Sequence, residues 1–166
     1  EVIESLDIKS DGIYVDGTAG GGGHSLEIAK RLGEGGRLIA IDQDETAVAV
    51  ATERLNALGK NTTVVRSNFS ELADVCRSLG IEQIDGVLLD LGVSSYQLDT
   101  AERGFSYSAD APIDMRMDNR CSLSAYDVVN TYSAEELKRI LYDYGEERFA
   151  PAIASAIVKK RESRPI

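Results

Sequence analysis

The stretch YVDGTAGGGGHS, residues 14–25, decides how the rest of the chain is read. A short apolar run ends in Asp16, a glycine-rich turn follows, and SLEIAKRL at 25–32 continues with Leu26, Ala29 and Leu32 at helical spacing. Glycines between a strand and a helix let a ligand approach the backbone closely. The helix N-terminus adds free amide donors and a partial positive charge. Strand, glycine loop and helix together mark the start of a site for a nucleotide or a carboxylate.

The pattern repeats downstream. RLIAID at 37–42 reads as a buried strand, 45–58 as a helix rich in Ala and Val, and TTVVRSNF at 62–69 as a third strand. A helix is expected over 70–79, with Ser70 as its cap, and DGVLLD at 85–90 is a fourth strand. The strands are continuous apolar runs, which predicts a parallel sheet with helices on both faces. Its ligand site belongs at the carboxyl ends of the strands. Three of those ends carry an acid: Asp16, Asp42 and Asp90.

Beyond Gly92 no period is sustained over 93–120, where aromatics, arginines and acids mix. So long an irregular segment in a compact domain is usually functional or disordered. Ser133 and Glu136 then form a capping box ahead of ELKRILYDYG. Residues 147–162 read as an amphipathic helix with Pro151 in its first turn or kinking it. No strand is expected after Asp90, so the sheet looks unfinished and further strands are expected downstream in a longer protein.

The composition fits a globular domain with a sizeable core: 166 residues, 43% hydrophobic and 28% charged. No apolar run reaches the roughly 18 residues of a membrane-spanning helix, so no membrane association is expected. The net charge of -10 argues against a duplex binder that works by phosphate contacts alone. It leaves room for an enzyme with a local basic patch, and KKRESR at 159–164 supplies one. Cys76 and Cys121 lack metal-ligand spacing and are too few for a disulfide framework. Both are read as reduced thiols of a cytoplasmic protein, and no metal is expected.

Which ligand the loop takes follows from its neighbours. Gly17 and Gly22 have phosphate-loop spacing, but Gly23 and His24 stand where Lys and Ser/Thr are needed. Gly20 and Gly22 begin a dinucleotide fingerprint that Ser25 ends. Asp16, just before the loop, repels a pyrophosphate and suits an amine-bearing ligand. Asp42 is placed to accept both hydroxyls of a ribose. S-adenosylmethionine carries an amine, a sulfonium charge, a carboxylate and a ribose, and suits this set better than NAD. His24, the only histidine, reads as a helix-start residue that shapes the loop and donates toward the ligand carboxylate.

LLDLGVSSYQLDTAERGFSYSADAPIDMRMD at 88–118, with DGTAGGGGHS, RLIAID and YGEERFAPAIASAIV, closely resembles the bacterial MraW family. The resemblance covers nearly the whole chain. It implies a Rossmann-like class I S-adenosylmethionine-dependent methyltransferase, an α/β fold interrupted by a helical insertion. It divides the chain into a partial cofactor-binding domain, residues 1–106, and the start of the substrate-recognition insertion, residues 107–166. The implied activity is methylation of the exocyclic N4 amine of a cytosine in small-subunit (16S) ribosomal RNA. The implied cofactor contacts are Gly22, Gly23 and His24 at the methionine end, Asp42 at the ribose, Phe69 near the adenine, and Asp90 with Gln97 completing the pocket.

Many amine methyltransferases carry a Pro-Pro-aromatic turn where this chain has Asp90-Leu91-Gly92-Val93. Asp90, with Ser94 or Ser95 assisting, is therefore a candidate acceptor for the amine hydrogens; its other candidate role is to position the cofactor. Tyr96, Phe105 and Tyr107 are candidates for base stacking, and Arg103, Arg116 and Arg120 for phosphate contacts or for pairing with neighbouring acids. The competing functions are a methyltransferase for a small molecule or protein, and an NAD-dependent oxidoreductase.

Overall fold

The apolar runs of the first half pair with one another. In the computed structural model, which describes residues 2–166, β1 (Ile13–Asp16), β2 (Arg37–Asp42), β3 (Thr62–Arg66) and β4 (Gly86–Leu88) form one parallel sheet in the order β3-β2-β1-β4. Between and before them lie α1 (Val2–Ser5), α2 (Gly23–Arg31), α3 (Glu45–Asn56) and α4 (Leu72–Ser78). Successive strand residues face opposite sides of a sheet. On one side Tyr14, Leu38, Ala40 and Leu88 pack with Ile28 and Ala29 of α2 and Ala51 and Leu55 of α3. On the other, Val15, Ile39 and Ile41 pack with Ile81 and with Val75 and Cys76 of α4. Both faces are covered, as the unbroken apolar runs require.

β2 and β3 are added on one side of β1 and β4 on the other. The winding reverses between β1 and β4, and such a switch point opens a crevice at the carboxyl ends of the strands. The loops that follow β1, β2 and β4 all meet there.

Several elements differ from the sequence expectation at their ends. α2 begins at Gly23, inside the glycine run and two residues before Ser25. β3 stops at Arg66 because Asn68 caps a 3-10 turn over Phe69–Glu71, its side chain accepting from the Ser70 amide. β4 covers only Gly86–Leu88 of the expected 85–90. Asp85 uses its side chain to accept from the Ile13 amide, and the Asp90 amide leaves the ladder for the Thr18 hydroxyl.

Residues 1–94 and 95–166 form two compact units. The second is helical: α5 (Ser95–Asp99), a 3-10 turn over Ala101–Arg103, α6 (Ala125–Thr131), α7 (Ala134–Asp143) and α8 (Ala150–Arg161). α5 lies in the stretch read as aperiodic, being too short to display a period. The segment between Gly104 and Ser124 is held by side chains. Arg103 donates to the carbonyls of Arg116 and Met117 at 2.8 and 3.1 Å and stacks over Phe105 at 5.9 Å. Arg116 clasps Asp114 at 2.6 Å, holding that carboxyl below the usual carboxylate range, and donates to the Cys121 carbonyl at 2.9 Å. Arg116 and Arg120 thus pair with acids, Asp114 and Asp118, and Arg103 donates to backbone carbonyls.

The capping box of Ser133 and Glu136 starts α7 as predicted, and Ser124 with Asp127 makes a second one at α6. Pro151 sits in the first turn of α8. Arg161, in the last turn of α8, donates to the carbonyls of Val129 and Tyr132, where α6 ends.

Ile39 is fully buried against α4. Ile39→Ala should lower the unfolding free energy of the intact protein by about 3 kcal/mol, from lost burial and a residual cavity. Urea titration reads this, and a loss below ~1 kcal/mol contradicts the packing described.

Candidate functional site

The loop between β1 and α2 is shaped by glycines at two positions in particular. Gly20 and Gly22 have φ of 51° and 79°, the left-handed region that favours glycine. At Gly22 space agrees with conformation, since a Cβ there would lie 3.3 Å from the Cα of Ala51 on α3. α3 also reaches the loop through Arg54, which donates to the Gly21 carbonyl at 2.6 Å. At Gly23, by contrast, a Cβ would meet nothing within 4 Å, so the start of α2 is open on that side. The Leu26 amide is the first of α2 to find a turn-type partner, the Gly22 carbonyl at 2.9 Å. Helical geometry leaves the amides of Gly23, His24 and Ser25 without an intrahelical acceptor.

Asp16 lies beneath this loop. It is fully buried, its Oδ2 accepting from the Ser25 hydroxyl at 2.6 Å and its Oδ1 from the Thr18 amide at 3.1 Å. Burial raises its pKa above the usual carboxylate range, and the bonds from Ser25 and Thr18 and the proximity of His24 partly offset that. The sequence reading gave Asp16 to a ligand amine; the structure gives it to the loop. β1 has a strand on each side, and the first turn of α2 brings Ser25 onto the carboxylate.

Asp42, half-buried at the end of β2, also holds the loop. Its Oδ2 accepts from the Gly20 amide at 2.7 Å and its Oδ1 from the Asp44 amide at 2.9 Å. Each carboxylate oxygen has two lone pairs, so Asp42 keeps acceptor capacity for a vicinal diol. Beside it the Asn68 side chain donates to that of Gln43 at 2.8 Å, tying the tips of β2 and β3 together. Phe69 follows, 38% exposed, and a Cβ on Gly17 would lie 3.2 Å from its Cβ. An apolar side chain therefore stands at the same end of the sheet.

Across the crevice Asp90 lies two residues past β4, exposed, with its amide donating to Thr18 Oγ1 at 2.7 Å. Its Oδ2 is 3.8 Å from Nδ1 of His24. Gly22, Gly23, His24, Asp42, Phe69 and Asp90 thus share the carboxyl-end edge of the first unit. Ser94 is the last residue of that unit, and Gln97 is a buried residue of α5 in the second. Thr18, Ser25 and Arg54 complete the loop's support and were not singled out in the sequence. Ser and Thr carry hydroxyls able to donate and accept, the one signal in the sequence for the first two.

Free amides at a helix start, open space at Gly23, an acid with spare lone pairs on β2 and an exposed aromatic after β3 match a carboxylate, a ribose and an adenine in turn. The residues present fit S-adenosylmethionine.

Asp16 gives this support a pH signature. An acid whose folded-state pKa is raised stabilises the fold least when ionised. Its contribution is therefore lost as pH rises from the ordinary carboxylate value, about 3.9, through the raised value. Asp16→Asn lacks that decline. Urea titrations across this window should show the stability of the wild type falling relative to the variant as pH rises; a flat or rising difference contradicts the burial of Asp16.

Comparison with known proteins agrees with this geometry. The profile of the MraW methylase family matches residues 1–166. A ribosomal RNA small subunit methyltransferase H 2 from Agathobacter rectalis is 60% identical over 100% of this chain and 53% of its own length. Proteins called ribosomal RNA small subunit methyltransferase H from Lachnospira eligens and Clostridioides difficile are 59% and 54% identical, again over 100% of this chain and 53% of theirs. The chain spans about half the length of the curated relatives it matches. With the family profile running from its first residue to its last, the chain belongs to the MraW methylase family.

Proposed function

We propose that the intact protein, in the cytoplasm, transfers a methyl group from S-adenosylmethionine to the exocyclic N4 amine of a cytosine in small-subunit ribosomal RNA. The observation that carries this reading is the meeting, at the switch point of a methylase-family sheet, of the α2 amides, Asp42 and Asp90. The relatives' names support ribosomal RNA as the substrate.

When bound, the donor supplies an electrophilic methyl group on a sulfonium. The protein's task is alignment. Gly22, Gly23 and His24 hold the methionine end, Asp42 the ribose hydroxyls and Phe69 the adenine, while Gln97 keeps the donor-binding role that the resemblance implies. A cytosine amine is a weak nucleophile because its lone pair is delocalised into the ring. Asp90, with Ser94 assisting, accepts hydrogen bonds from the amine and favours pyramidal nitrogen. It also stabilises the charge that develops there, and takes the proton that the methylated nitrogen releases. The exposed Lys159, Lys160 and Arg164 suit phosphate contacts, and Tyr107, fully exposed, suits base stacking. Arg116, already committed to Asp114 and Cys121, is excluded from that set.

The test is tritium transfer from labelled donor into small-subunit RNA prepared from cells lacking the enzyme, followed by digestion to nucleosides. The label should appear in N4-methylcytidine. Asp90→Asn should lower kcat about a hundredfold with little change in donor affinity, and Asp42→Ala should weaken donor binding by at least about tenfold. Label in small molecules or proteins and none in RNA would establish the competing methyltransferase reading. Lost donor affinity with full turnover in Asp90→Asn would make Asp90 a cofactor-positioning residue.

A further inference from the structure

The geometry points to Thr18 as the residue that positions Asp90. The inference rests on the proposed role of Asp90 in methyl transfer. It begins from the ladder between β1 and β4. The two strands pair with Asp16 opposite Leu88, and the Gly17 amide donates to the Leu88 carbonyl at 2.9 Å. In a parallel ladder the next rung would run from the Asp90 amide to the Gly17 carbonyl. Instead that amide donates to Thr18 Oγ1 at 2.7 Å. A side chain has replaced a backbone rung at the residue where the chain leaves the sheet.

Thr18 is itself fixed. Its amide donates to Asp16, whose other oxygen accepts from Ser25 in the first turn of α2. One buried carboxylate therefore sets the position of the helix start on one side and, through Thr18, of Asp90 on the other. The 3.8 Å separation of His24 from Asp90 follows from this shared anchor. The Asp90 side chain is 70% exposed, so packing does not hold it in place. Its backbone must be held instead, and the Thr18 hydroxyl is the group that does so. Alignment to a fraction of an ångström matters for an in-line transfer, so loosening this bond should slow the chemical step. Donor binding should change little, because the loop keeps its bonds from Ser25 to Asp16 and from Gly20 to Asp42.

Thr18→Val removes the acceptor at nearly constant volume, and Thr18→Ser keeps it. Both are made in the intact protein, with Thr18→Ala as a second variant lacking the hydroxyl should the valine fail to fold. The readouts are amide hydrogen exchange at Asp90 by NMR, donor affinity by calorimetry, and kcat on small-subunit RNA. In Thr18→Val, Asp90 exchange should quicken at least about tenfold, kcat should fall about ten- to a hundredfold, and donor affinity should stay within about threefold. Thr18→Ser should restore all three. Unchanged exchange and kcat in the valine variant, or a serine variant as impaired as the valine, would overturn the inference. If exchange responds as stated while the wild-type protein methylates no RNA, the proposed function fails and the positioning of Asp90 stands.

Discussion

A buried hydrogen bond between Asp16 and Ser25 is the constraint on which the rest of the site depends. Burying a carboxylate is unfavourable unless its oxygens are satisfied. Here they are met from within the loop, by Ser25 on one oxygen and Thr18 on the other. The Ser25 bond ties the last residue of β1 to the first turn of α2 across the glycine-rich loop, and the Thr18 bond fixes the start of that loop. Without them, a run of four glycines would sample many conformations. With them, the start of α2 is fixed, and helical geometry leaves its first amides without an intrahelical acceptor.

The loop is also held from the side. Asp42 at the tip of β2 accepts from Gly20, and α3 contributes Arg54 on the Gly21 carbonyl and Ala51 packed under Gly22. Each contact comes from the next βα unit of the winding, so the site is built by the strand order itself. β4, on the opposite flank of β1, brings Asp90 to the same edge. The proposed donor-binding groups and the proposed acceptor acid thus stand on the two sides of one switch point, which is the arrangement that a transfer between two ligands requires.

Much of this was legible in the sequence. The unbroken apolar runs ending in Asp16, Asp42 and Asp90 pointed to the parallel sheet, because a strand buried on both faces has no polar alternation. The missing Lys after Gly22 and the acid on β2 separated the ligand classes. What misled was direction: spacing places Asp16 at the mouth of the loop but does not say which way its side chain points, and the carboxylate turns inward to Ser25. Strand ends were overestimated for a related reason. The side chains of Asp85 and Thr18 take over backbone hydrogen bonds at the margins of β4, and no periodicity encodes that. In the second unit α5 was unreadable because five residues show no period, and the segment after Gly104 because arginine-to-carbonyl bonds help to hold it.

The acidic balance of the chain is compatible with the proposed RNA substrate, because several of the acids are committed within the fold. Asp16 and Asp42 serve the loop, Asp114 and Asp118 neutralise arginines, and Asp127 and Glu136 cap helices. The central claim is that the pinned glycine loop is the methyl-donor site. Its most direct test is a backbone-amide NMR titration with S-adenosylhomocysteine, run beside one with NAD. Shifts from the homocysteine ligand should concentrate at residues 20–25, around Asp42 and Phe69, and at Asp90, with none from NAD at equal concentration. Shifts from NAD at these amides, or a footprint of the homocysteine ligand elsewhere in the chain, would contradict it.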